Sequence, residues 1–176
     1  DAVGDGISAI APGLRVAMLS NHAYAEYDTA PAEQVIPLPD SLAANPLPGE
    51  PLGCAFNVFR RSGIEAGHTV AIVGIGFLGA LLTRLASRAG ARVIALSRRP
   101  YSLAVARTMG ASDALALDDS GEAVERVKAL TDGQLCDRVI EAVGKQGPLD
   151  RAGELTRERG RLIVAGYHQD GLRQVN

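Results

Sequence analysis

The sequence predicts an α/β fold, a doubly wound parallel sheet of five strands with helices on both faces, preceded by a short all-β segment. Three observations carry the prediction. From residue 67 onward, short apolar runs alternate with stretches of helical periodicity. A glycine-rich loop, Gly74-Ile75-Gly76-Phe77-Leu78-Gly79, stands between the first of these runs and the first of these helices. Seven of the nine prolines lie before residue 52, so the composition changes just ahead of the alternation.

Before residue 52, Arg15 to Leu19, Ala23 to Asp28 and Gln34 to Leu38 read as strands, each too short for a helix and broken off by Gly, Pro or Asn. Three such strands cannot bury a core alone. A connecting helix is expected within 50–66. Thr69 to Val73 is apolar throughout, the pattern of a strand buried on both faces. Gly79 to Ala89 follows as a helix with the stripe Leu78, Leu81, Leu82 and Leu85, and Gly90 stops it. Arg92 to Leu96 is the second strand, and Tyr101 to Met109 the second helix, stopped by Gly110. Asp113 to Leu117, Glu122 to Leu130, Asp137 to Ala142, Leu149 to Thr156 and Arg161 to Ala165 continue strand, helix, strand, helix, strand. The expected organisation is a partial first domain over 1–49, the connecting helix over 50–66 and a second domain over 67–176.

Composition removes several classes of function. With 47% hydrophobic and 22% charged residues, the chain can bury a core and is not disordered. Its net charge of −2 is spread along the sequence, so no field recruits nucleic acid or an anionic membrane. The longest apolar stretch, Val70 to Leu82, has 13 residues and three glycines, short of the roughly 20 that cross a bilayer. No basic segment near Asp1 and Asp5 marks a secretory signal, and Cys54 and Cys136 are too few for a disulfide framework. A cytoplasmic protein without nucleic-acid or membrane partners is expected.

The loop matches G-x-G-x-x-G in the context that gives the pattern meaning, after a strand and at the opening of a helix, as in the Rossmann dinucleotide-binding fold. Gly74 permits the tight turn, Gly76 lets the backbone approach a pyrophosphate, and Gly79 brings the helix close to the sheet. The phosphates would lie on the first N–H groups of the helix, at Phe77 and Leu78. In NAD binders the second strand ends in an acid that bonds the ribose hydroxyls. Here it ends Leu96-Ser97-Arg98-Arg99, so Ser97 and Arg98, with Arg99 the weaker partner, favour the 2′-phosphate of NADP over NAD. The plainer readings are a turn without ligand and two solvated arginines at a strand end.

The order of these features resembles the medium-chain dehydrogenase/reductase superfamily, in particular its zinc-type alcohol, polyol and threonine dehydrogenase-like branch. The resemblance rests on Val3 to Ile7, Pro12 to Ala17, Tyr24 to Tyr27, Glu50-Pro51-Leu52-Gly53-Cys54-Ala55, the glycine loop, and Ala104 to Ala111 with its Met109-Gly110-Ala111. It implies that the first domain is the end of a GroES-like catalytic domain. It implies also that five of six Rossmann strands are present and that the chain is the middle of a longer protein. Ala142-Val143-Gly144 resembles the family's position beside the cofactor ribose and nicotinamide. The implied activity is hydride transfer between NADP(H) and a small-molecule alcohol or carbonyl, with one catalytic zinc per full-length chain as Lewis acid, in a homo-oligomer, a dimer or tetramer. Glu50 and Cys54 are the metal ligands it offers here, either of which could reach one zinc; the plainer reading is Glu50 as a helix cap and Cys54 as a small buried hydrophobe. No catalytic residue can be assigned within this chain.

The sequence departs from the family in two places. Met18 to Ala23 stands where a four-cysteine lobe would fall, so no structural zinc is expected. Val58 replaces a threonine that many zinc members carry near the nicotinamide. Of the histidines, His168 follows the fifth strand at the ligand-binding edge and is a candidate cleft residue, whereas His22 and His68 read as surface groups. Cys136 reads as structural. Two other functions stay open: a zinc-free quinone or enone reductase of the same superfamily, and a non-catalytic NADPH-binding sensor or scaffold.

Overall fold

The computed structural model describes residues 2–22, 24–42, 44–118 and 120–175, and the chain divides into two compact units, Asp1–Glu50 and Pro51–Asn176. In the first, β1 (Val16–Met18) and β2 (Val35–Pro37) pair antiparallel with Ala17 opposite Ile36. The Arg15 guanidinium donates to the carbonyls of Leu42, at 2.7 Å, and Asn45, at 3.0 Å, fixing the loop after β2. The strand expected over Ala23 to Asp28 is not formed. Ala23 lies outside the described residues, residues 24–27 are bends, and Tyr24 takes φ 65°, a left-handed conformation that breaks a pleat.

The longer unit follows the predicted alternation. Its elements are α1 (Gly49–Ser62), β3 (Thr69–Val73), α2 (Phe77–Arg88), β4 (Arg92–Ser97), α3 (Pro100–Thr108) and β5 (Asp113–Ala116), then α4 (Glu122–Leu130), β6 (Cys136–Glu141), α5 (Gln146–Leu155) and β7 (Thr156–Val164). The five strands are parallel in the order β5-β4-β3-β6-β7. Consecutive side chains point to opposite faces and both faces are covered. Val70, Ile72, Val93, Ala95 and Ile140 pack with Leu82, Ala86 and Ala106 of α2 and α3. Ala71, Val73, Leu96 and Val139 pack with Val127, Ala152 and Leu155 of α4 and α5. This is the doubly wound Rossmann arrangement, with the order reversing between β3 and β6.

Several boundaries differ from expectation for local reasons. Helix α1 starts at Gly49, so Glu50 lies in its first turn, where a carboxylate meets the positive end of the helix dipole, instead of serving as its cap. Helix α5 starts at Gln146 and carries Pro148 in its first turn, where a missing N–H loses no hydrogen bond. Thr156 ends that helix and begins β7, pairing with Cys136. The register then jumps, because Arg138 pairs with Arg161. Residues 157–160 bulge outward around Arg159, at φ 59°, and Arg157 is anchored to Asp137 at 2.8 Å.

The end of α1 is held by the sheet. Arg138 Nε donates to the carbonyls of Ser62, at 3.1 Å, and Gly63, at 3.3 Å. Arg161 reaches those of Arg61, at 3.3 Å, and Ser62, at 3.4 Å. Two cations thus meet the negative end of the helix and satisfy its last acceptors.

Candidate functional site

At the carboxyl ends of the strands, where the order reverses, lies a cleft of about 460 Å³. Its floor is Gly74, Ile75 and Gly76, one wall is Ser97, Arg98 and Arg99, and the other is Ala142, Val143, Lys145 and Pro148. A hollow of about 1140 Å³ in the first unit is larger but is lined mostly by irregular loops of residues 2–35.

The three glycines of the loop differ in what demands them. Gly74 has φ 99°, and a Cβ there would strike the Val143 side chain and come within 3.2 Å of the Ala142 carbonyl. At Gly79 a Cβ would overlap the carbonyl oxygen of Gly74, so only glycine lets α2 approach β3 this closely. Gly76 has φ −93°, which any residue adopts, and a Cβ there would meet no protein atom within 4 Å. Helix α2 makes its first bond from the Ala80 N–H to the Gly76 carbonyl, at 3.0 Å. The N–H groups of Phe77, Leu78 and Gly79 therefore have no intrahelical acceptor. The Phe77 side chain is largely exposed and Leu78 packs against the core, so neither side chain lines the cleft.

At the end of β4, Ser97 is buried and its Oγ accepts from the Arg99 N–H at 3.3 Å, while Arg98 and Arg99 are exposed. The opposite wall is shaped by a residue the sequence reading passed over. Glu141, the last residue of β6, is fully buried. Its Oε1 accepts the N–H groups of Val143 and Gly144, each at 2.7 Å, and its Oε2 lies 3.0 Å from Nε2 of His168. Arg173 Nε donates to Nδ1 of His168 at 2.9 Å. A guanidinium can only donate, so His168 accepts at Nδ1 and donates from Nε2 to Glu141. His168 thus faces Glu141 and does not line the cleft. A charged residue inside the apolar run Val139 to Val143 was the available signal for Glu141. Lys145 was hidden because nothing in its neighbours marks it.

Glu50 and Cys54 lie four positions apart on α1, both exposed. Among the described residues no three His, Cys, Asp or Glu side chains gather into a metal site. Cys136 is enclosed in the core, and burial pushes its thiol up to about 12, with the neighbouring Asp137 charge acting in the same direction.

Comparison with known proteins gives this geometry a family. Residues 78–176 match the family model described as zinc-binding dehydrogenase. The chain belongs to this family, within the medium-chain dehydrogenase/reductase superfamily. An alcohol dehydrogenase of Geobacillus stearothermophilus is 32% identical over 81% of this chain and 42% of its own length. A putative zinc-binding dehydrogenase from Sinorhizobium meliloti 1021, solved bound to NADP, is 25% identical with a TM-score of 0.80, covering 99% of this chain and 60% of that one. A quinone oxidoreductase of Pseudomonas syringae pv. Tomato DC3000 is 26% identical with a TM-score of 0.77, over 99% of this chain and 55% of that one. The chain therefore spans less than half the length of the curated dehydrogenase it matches.

Proposed function

We propose that the protein binds NADP(H) in the cleft and takes part in hydride transfer between C4 of the nicotinamide and a small-molecule alcohol or carbonyl. Gly76 carries the reading: neither its backbone angles nor its neighbours require a glycine, and its empty side faces the place where a pyrophosphate would lie on the start of α2. A bound phosphate explains the residue, and a bare turn does not.

The preference for NADP follows from β4. Ser97-Arg98-Arg99 at its end holds no carboxylate to repel a 2′-phosphate, the Ser97 hydroxyl can donate to one, and Arg98 and Arg99 supply positive charge beside it. The reversal of strand order supports a pose with the adenosine half against β3 and β4 and the nicotinamide half against β6 and β7. NADP(H) held by the glycine loop, Ser97 and Arg98 would supply the hydride chemistry, taking a hydride from a carbinol carbon as the hydroxyl proton leaves to a base and a carbonyl forms. This chain's residues bind and orient the cofactor for that step.

The family's zinc is a separate matter. Glu50 and Cys54 offer two donors one helical turn apart, whereas a catalytic zinc keeps three protein ligands, and no third lies with them among the described residues. The described residues of this chain do not make a complete zinc site. Zinc as Lewis acid, with Glu50 and Cys54 as this chain's share of the ligands, stays within the proposal only with donors from outside 1–176. A second reading, a zinc-free quinone or enone reductase, is supported by the likeness to the quinone oxidoreductase of Pseudomonas syringae.

Titrating NADPH and NADH into the wild type and a Ser97→Asp/Arg98→Leu double variant tests the cofactor. The wild type should prefer NADPH, and the double variant should shift the ratio toward NADH by roughly 2–4 kcal/mol, the scale of charged hydrogen bonds. Equal wild-type affinity for both would overturn the NADP assignment.

A further inference from the structure

We infer that Glu141, His168 and Arg173 are positioning residues for the nicotinamide half of the cofactor, acting through the Ala142–Gly144 turn. The inference rests on the cofactor reading above.

The three side chains form a chain of hydrogen bonds with one possible direction. Arg173 can only donate and the Glu141 carboxylate only accepts, so His168 between them must accept at Nδ1, at 2.9 Å, and donate from Nε2, at 3.0 Å. The turn is gripped from both sides by the ends of this chain. Glu141 Oε1 takes the N–H groups of Val143 and Gly144, while Arg173 donates to the Gly144 carbonyl at 3.2 Å. The Glu141 carbonyl accepts from Ala165 and Gly166, at 2.8 and 2.9 Å, so the segment bearing His168 is tied to the same residue. Val143 and Ala142 form the cleft wall on the β6 side. A carboxylate taken fully out of water costs free energy, and an apolar residue could end β6 more cheaply. What the carboxylate supplies is a fixed direction for two peptide N–H groups at the rim of the cleft.

Glu141→Gln keeps the volume and breaks the direction. If the amide oxygen stays on the turn, its NH₂ meets the Nε2 hydrogen of His168. Moving that hydrogen to Nδ1 then sets it against Arg173. A mismatch is forced somewhere along the chain, and the turn shifts.

The test measures binding of each dinucleotide beside its half without nicotinamide, NADPH with 2′,5′-ADP and NADH with ADP, in the full chain, wild type and Glu141→Gln. The expected result is about a tenfold loss for the dinucleotide the wild type prefers, one charged hydrogen bond's worth, with the matching half-molecule changed less than twofold. A merely structural role would weaken both alike, and that outcome, or no change in either, overturns the inference while leaving the cofactor reading intact. Wild type that binds neither dinucleotide overturns the cofactor reading and this inference together. If Glu141→Gln does not fold, Arg173→Met removes the outer donor without disturbing the buried carboxylate. It should show the same split at about threefold, and its absence there counts equally against the inference.

Discussion

At the scale of single residues, Gly76 separates fold from function. Gly76→Ala should leave the melting temperature within about 2 °C of wild type, because the added methyl meets no protein atom. It should weaken NADPH binding at least tenfold, because the methyl occupies the approach to the pyrophosphate. Unchanged affinity in the folded variant would reduce the loop to a turn. The two thiols offer a second check. Cys54 is exposed, while Cys136 is enclosed and, with its thiol pushed up to about 12, stays protonated at neutral pH. Treatment of the native protein with a thiol reagent at pH 7.5 should modify one cysteine promptly, and the second only on unfolding. Prompt reaction of both would show that β6 is not sealed against the α5 face of the sheet.

Elements were legible where the physics is one-sided. Strands β3 and β4 are buried on both faces, which leaves an unbroken apolar run in the sequence, and Gly90 and Gly110 end their helices with φ of 83° and 100° as expected of such stops. The expected strand at Ala23 to Asp28 failed because alternation of aromatic and small residues is weak evidence without a partner strand. The bulge at 157–160 was invisible because nothing before Arg161 in the sequence reports the pairing of β7 with β6. Arg138 illustrates a contact no sequence reading reaches: it crosses from β6 to the last carbonyls of α1. Arg138→Met keeps the stem and removes the donors, and should lower stability by about 1–2 kcal/mol in a urea titration, since charge-assisted bonds to helix-end carbonyls are lost. No shift in midpoint would mean that water replaces the guanidinium at no cost.

For the whole molecule, residues of both walls of the candidate site were named from the sequence, Ala142-Val143-Gly144 by resemblance, and the network behind the β6 wall was not. The glycine loop and Ser97-Arg98-Arg99 are contiguous and follow strands, so pattern alone places them together. The β6 wall depends on Glu141, His168 and Arg173, which meet only after β7 has paired. The ligand set splits the same way, and it yields a stoichiometric expectation. The 176-residue chain should bind NADPH yet carry well under one zinc per chain by elemental analysis after dialysis, because only two donors share α1. One tightly held zinc per chain would require a ligand set other than Glu50 and Cys54. Glycines also pack together around the Ala142–Gly144 turn. A Cβ on Gly144 would strike the Tyr167 carbonyl, and one on Gly166 would strike the Gly144 nitrogen and lie 2.6 Å from Glu141 Oε2, just as one on Gly74 would strike Val143. Each position is therefore locked by the backbone or side chain of another. None of these three glycines can be varied alone, so descendants of this chain with new cofactor or substrate preferences should differ at Ser97, Arg98 and Lys145, while the interlocked glycines remain the inherited part.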